Sequence, residues 1–274
     1  MVDNIDKNDW PKKAYKNQNF LNSNSAREIR ILSEYIEPEA RFKELDICDT
    51  VVFFGSARTK SQENALKDVE TAKANNDNIK VAERNLKMSS YYEDARELAF
   101  RLTKWSKKLE GGDKRFILCS GGGPGIMEAA NRGASEAEGI NIGLNISLPF
   151  EQSHNPFITR ELNFEFHYFF MRKFWFLYLA KAIVLFPGGF GTMDELFEVL
   201  TLLQTEKLQK PLPIILYGSS FWNDVVNLNA LVDYGTISSE DLDLLNVIDT
   251  VDDAYQFIVK ELEEKSLMIP GGVL

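Results

Sequence analysis

The chain has 274 residues, 44% of them hydrophobic and 26% charged, with 31 basic and 41 acidic side chains giving a formal charge of −10. That length and composition suit a globular protein with a large core and exclude a fibrous or disordered one. The acidic balance excludes the basic face of a duplex nucleic-acid binder, and two cysteines supply neither a disulfide framework nor a four-cysteine zinc site.

Residues 1–48 read as an N-terminal extension, Asn-rich and charged, with a helix over 25–36 stopped at Pro38. Its first residues lack the apolar core of a signal peptide. Residues 49–270 read as one domain. Val51, Val52, Phe53 and Phe54 form a continuous apolar run, the pattern of a strand buried on both faces. Residues 59–90 turn polar and read as an exposed helical insertion outside the central fold.

Strand and helix then alternate. The pattern predicts a helix over 93–109, a strand over 116–119, a helix over 125–138 and a strand over 141–146. A helix over 169–180, a strand over 182–186, a helix over 192–206, a strand over 213–217, and helices over 221–231 and 252–264 complete it. This is the signature of an α/β fold with one doubly wound, Rossmann-like parallel sheet. The most apolar stretch, 174–186, is broken by Lys181 and falls short of the ~20 residues of a spanning helix. No membrane or nucleic-acid partner and a cytoplasmic location are the expectation.

Two glycine-rich turns leave strand ends and open helices: Ser120-Gly121-Gly122-Gly123-Pro124-Gly125, and Pro187-Gly188-Gly189-Phe190-Gly191-Thr192. Such turns lie at the carboxyl edge of a parallel sheet, where backbone amides and helix N-termini gather an anion. Neither turn fits G-x-G-x-x-G, and no G-x-x-x-x-G-K-[ST] occurs, so a phosphate-bearing ligand is expected without a dinucleotide or Walker-type fingerprint. Thr192 and Glu195 have capping-box spacing, and a structural role for Glu195 competes with a chemical one. Arg172 lies among apolar neighbours, where a guanidinium needs an anionic partner. His154 and His167 make no recognisable metal site, and Cys119 reads as a small core residue.

The segment Pro187-Gly188-Gly189-Phe190-Gly191-Thr192-Met193-Asp194-Glu195 resembles the P-G-G-x-G-T-x-x-E motif of the LONELY GUY family. These are cytokinin riboside 5′-monophosphate phosphoribohydrolases, also labelled lysine decarboxylases. The turn at 120–127 and the Met171-Arg172-Lys173 segment resemble further parts of that family, and the N-terminal extension and aromatic stretch resemble its longer bacterial members. The resemblance implies hydrolysis of the N-glycosidic bond of a nucleoside 5′-monophosphate, AMP-like or a cytokinin precursor, without metal or cofactor. It implies Arg172 and Glu195 as the catalytic pair and Gly188, Gly189, Gly191 and Thr192 as the phosphate turn. Gly55, Ser56, Gly121, Gly122, Gly123, Met171 and Glu198 would line the nucleotide pocket, and the chain would form a homodimer or larger homo-oligomer. A non-catalytic carrier of a phosphorylated, nucleotide-like cofactor is the alternative. A pyridoxal-dependent decarboxylase would need a Schiff-base lysine, and neither Lys173 nor Lys181 lies in a motif for it.

Overall fold

The computed structural model describes residues 11–109, 114–149 and 155–272; His154 lies outside them. Seven strands form one parallel sheet: β1 (Thr50–Phe54), β2 (Ile117–Ser120), β3 (Asn141–Ile146), β4 (Asn163–Phe166), β5 (Ala180–Leu185), β6 (Ile214–Tyr217) and β7 (Leu245–Ile248). The spatial order is β4-β3-β2-β1-β5-β6-β7. The chain therefore runs outward from β1 to β4, then returns to place β5 against the other side of β1. That reversal puts the topological switch point between β1 and β5, where an open α/β sheet parts its loops to admit a ligand.

Ten α-helices surround the sheet among the described residues: α1 (Gln18–Leu21), α2 (Arg27–Glu44), α3 (Gln62–Asn75), α4 (Ile79–Ser106), α5 (Ile126–Glu136), α6 (Phe169–Tyr178), α7 (Phe190–Gln204), α8 (Ser219–Val225), α9 (Leu228–Asp233) and α10 (Val251–Lys265). The apolar run of β1 feeds both faces by alternation. Val52 and Phe54 join the core with Phe42 of α2, Trp175 and Phe176 of α6 and Leu196 of α7. Val51 and Phe53 join the opposite core with Leu98 of α4, Ile126 of α5 and Ile258 of α10. The result is a Rossmann-like three-layer α/β fold.

Several predicted bounds are corrected. Pro38 does not stop the first long helix, which runs through it to Glu44. A proline inside a helix frees the carbonyl four residues earlier. Here that carbonyl, of Glu34, accepts from the Trp175 indole Nε1 at 3.0 Å, so the lost bond is replaced by one across to α6. The same residue's carboxylate caps the entry to α6, accepting from the His167 amide at 2.8 Å and the Tyr168 amide at 3.1 Å. Residues 79–106 form one continuous helix, joining the later part of the helical insertion read over 59–90 to the helix predicted over 93–109, and α3 packs along its first turns. The helix predicted over 221–231 is two short ones, α8 and α9, with the Asn227 side chain capping the second. The edge strands β4 and β7 were not predicted. Among the described residues no helix is long and apolar enough to cross a membrane.

Candidate active site

The loops after β1, β2 and β5 are tied together at the carboxyl edge of the sheet. The Ser56 amide donates to the Pro187 carbonyl at 3.0 Å, and the Ile126 amide donates to the Ser56 carbonyl at 3.1 Å. Gly125 makes this approach possible. Its φ is 74°, and a Cβ there would lie 2.3 Å from the Ser56 oxygen, so no side chain is tolerated. Gly55 and Ser56 thus sit between the two glycine turns, and Gly121, Gly122 and Gly123 are buried beside them. Ser120 Oγ accepts from the Gly122 amide at 3.0 Å and donates to Asn131 at 2.6 Å, which fixes the first turn from below.

The second turn is open. Gly189 is the N-cap of α7 and no side chain caps that helix. Gly189 and Gly191 are exposed, Gly188 is half-buried, and Thr192 is buried with its hydroxyl folded against Gly188. Uncapped first-turn amides with their share of the helix dipole suit a phosphate. The helix starts at Phe190, so Thr192 is not its cap and the capping box suggested by the spacing is not formed. The structural role that competed for Glu195 falls with it.

Glu195 is instead 9% exposed, and its carboxylate has no hydrogen bond or ion pair to another described residue. Burial pushes it up to about 7; the charges of Arg172 and Lys173 pull it down, and Glu198 and Asp194 push it up again. Arg172 faces it from α6 without a direct ion pair. Its guanidinium donates to the Leu144 carbonyl at 2.7 Å and the Gly121 carbonyl at 3.3 Å and lies 5.0 Å from the Phe176 ring centre. Burial holds Arg172 below its ordinary value, while the Glu195 charge acts the other way. Met171 is buried in the core at the start of the same helix. Glu198 does not stand free: Lys173 Nζ lies 2.6 Å from its Oε2 and 2.7 Å from Asp194 Oδ2.

The fold therefore gathers Gly55, Ser56, Gly121, Gly122, Gly123, Arg172, the 188–192 turn and Glu195 around one edge. Sequence reasoning missed Lys173 as a partner of the acidic face of α7. The available signal was the spacing of Asp194 and Glu198, four apart on one helix face. It also missed the Ser120–Asn131 support, for which no spacing rule exists.

A stability test follows from the position of Glu195. Its raised value in the fold means that the protonated form contributes stability, complete below the ordinary carboxylate value of 4.5 and lost as pH rises through about 7. Glu195→Gln removes that loss. The variant should gain stability over wild type between pH 5 and pH 8, by roughly 3 kcal/mol at most, in paired urea titrations.

Residues 127–258 match the family described as "Possible lysine decarboxylase". Over 77 residues the chain is 36% identical to a cytokinin riboside 5′-monophosphate phosphoribohydrolase of Mycobacterium tuberculosis, a stretch covering 28% of this chain and 41% of that enzyme. Among solved structures, the structural-genomics target TM1055 is similar at 22% identity and a TM-score of 0.45, over 77% of this chain and 99% of the other. The molybdenum cofactor carrier protein of Chlamydomonas reinhardtii is similar at 18% identity and a TM-score of 0.43, over 78% of this chain and 99% of its own.

Proposed function

We propose, from the match of residues 127–258 to the family described as possible lysine decarboxylase, that the chain hydrolyses nucleoside 5′-monophosphates to free base and ribose 5-phosphate. The observation that carries this reading is a buried, unpaired carboxylate, Glu195, less than two turns into a helix whose uncapped N-terminus opens at the switch point. The 5′-phosphate would rest on Gly188, Gly189, Gly191 and Thr192, so that binding energy from the phosphate positions C1′. Gly55, Ser56, Gly121, Gly122, Gly123, Met171 and Glu198 would surround the nucleoside.

Cleavage of an N-glycosidic bond passes through a cation-like ribose. In its ionised form Glu195 stabilises that charge and takes a proton from the attacking water. The water oxygen bonds to C1′, the C1′–N bond breaks with its electron pair passing to the base, and the proton taken from water is returned to the base nitrogen, which regenerates the carboxylate. Arg172, locked onto the Leu144 and Gly121 carbonyls, would hold the substrate side of the pocket and favour the ionised carboxylate.

The family's description taken literally implies pyridoxal phosphate, and the residues present do not fit it. Lys173 Nζ is held between two carboxylates. Lys181 is 2% exposed near the amino end of β5, at the opposite edge of the sheet. Lys173 is thus held as an ion-paired ammonium and Lys181 lies at the wrong edge, so neither fits a Schiff-base amine at the carboxyl edge.

The test is a panel of AMP, GMP, CMP and a cytokinin riboside 5′-monophosphate, with free base read by chromatography. Base release from at least one, and none from the matching nucleoside without phosphate, is the expected result. Tight binding of these nucleotides with no release from any would instead make the protein a carrier.

A further inference from the structure

We propose that Lys173 is a positioning residue: by bridging Asp194 and Glu198 it neutralises the acidic first turns of α7 and so lets Glu195 carry its negative charge at neutral pH. The inference rests on the hydrolase reading for its rate readout alone.

Three carboxylates, Asp194, Glu195 and Glu198, fall within little more than one turn of α7. Glu195 and Glu198, three apart, are helix neighbours, and like charges at that spacing oppose each other. The groups that act on Glu195 are Arg172 and Lys173 from α6 and Asp194 and Glu198 from its own helix, while Glu165 of β4 acts on Arg172.

The two cations have different duties. Arg172 spends its hydrogen bonds on the Leu144 and Gly121 carbonyls. Lys173 alone makes direct ion pairs with the acidic face, at 2.7 Å to Asp194 and 2.6 Å to Glu198. Its side chain is 15% exposed, against 58% for Asp194 and 32% for Glu198, so it is the least exposed of these three ion-paired side chains. A charge held there acts on Glu195 through protein more than through water. The arrangement also ties α6 to α7, which keeps Arg172 and Glu195 in register across the pocket.

Without the ammonium, Glu195 would face two uncompensated neighbouring carboxylates in a buried setting, and both effects favour its protonated form. Lys173→Met and Lys173→Gln should therefore move the acid limb of the pH–rate profile with AMP upward by about one pH unit, a tenfold loss of rate on that limb. Lys173→Arg should return it, because the charge is kept. Glu198→Gln should move it downward.

A second readout needs no turnover: the carboxyl of Glu195, in protein labelled with 13C-glutamate and assigned by loss of its signal in Glu195→Gln, is titrated by NMR in each variant. The midpoint should rise in Lys173→Met and Lys173→Gln and recover in Lys173→Arg. A purely structural tie would lower stability in urea and leave the midpoint where it is, and that result overturns the proposal. Should wild type release no base, the hydrolase reading fails while the titration still decides the role of Lys173.

Discussion

Glu195→Gln should lower base release from AMP by about 10²–10⁴-fold with little change in KM. The amide keeps the size and shape of the carboxyl and so disturbs no packing around a side chain that is 9% exposed. It removes the two properties the reaction needs, a negative charge beside the ribose cation and a base for water. The proposed phosphate turn begins at Gly188, and its amides are backbone groups, so ground-state binding should persist. Because the same substitution is expected to stabilise the protein above pH 7, lost turnover would not be confused with unfolding. In wild type the rate should rise with pH through about 7, as the carboxyl ionises, and Glu195→Gln should lose that limb. Activity of the glutamine variant within about fivefold of wild type would remove Glu195 from the chemistry.

Gly133→Ala should destabilise the protein by about 2 kcal/mol, although alanine is the better helix former by ~1 kcal/mol. Gly133 lies where α5 presses on α4. A Cβ there would stand 2.0 Å from the Arg96 carbonyl oxygen and 3.0 Å from the Phe100 amide nitrogen. Both are backbone atoms of one helix, so relief requires separating α4 from α5, not turning a side chain. The surrounding contact offers no slack, since Ala95, Ala99, Ala129, Ala130 and Ala134 are all fully buried. The clash, about 3 kcal/mol on the overpacking scale, therefore outweighs the propensity gain. Gly191→Ala is the control: it is also helical, yet nothing lies within 4 Å of its added Cβ. Its stability in urea should be unchanged or slightly higher, while KM for AMP should rise if that turn holds the phosphate.

Much of this architecture could be read from residue order alone. The strands buried on both faces, such as 51–54 and 182–186, announce themselves as apolar runs, and the glycine turns mark where they end. The edge strands gave a weaker signal. In β4 only Phe164 and Phe166 are buried, alternating with Asn163 and Glu165, and β7 is four residues long and half-exposed. The candidate site was legible where its parts are local in sequence, as in the 187–195 turn and its carboxylate. Spacing alone misassigned Thr192 as a cap because a helix start depends on backbone angles at Gly189 that no side-chain pattern encodes. The links that cross from one element to another, Ser120 to Asn131 and Lys173 to Glu198, belong to tertiary packing. Pro38 shows the same limit: its local rule predicts a helix end, and a tryptophan 137 positions later cancels it.

Glu34 contributes its carbonyl to the Trp175 indole and its carboxylate to the amides that lead into α6. One residue of the N-terminal segment thus grips α6, the helix that carries Arg172, at both its entry and its flank, like a splint bound along a limb. A segment that looks dispensable by composition is in that sense part of the scaffold that aims Arg172, and trimming it would be felt at the opposite end of the helix it braces.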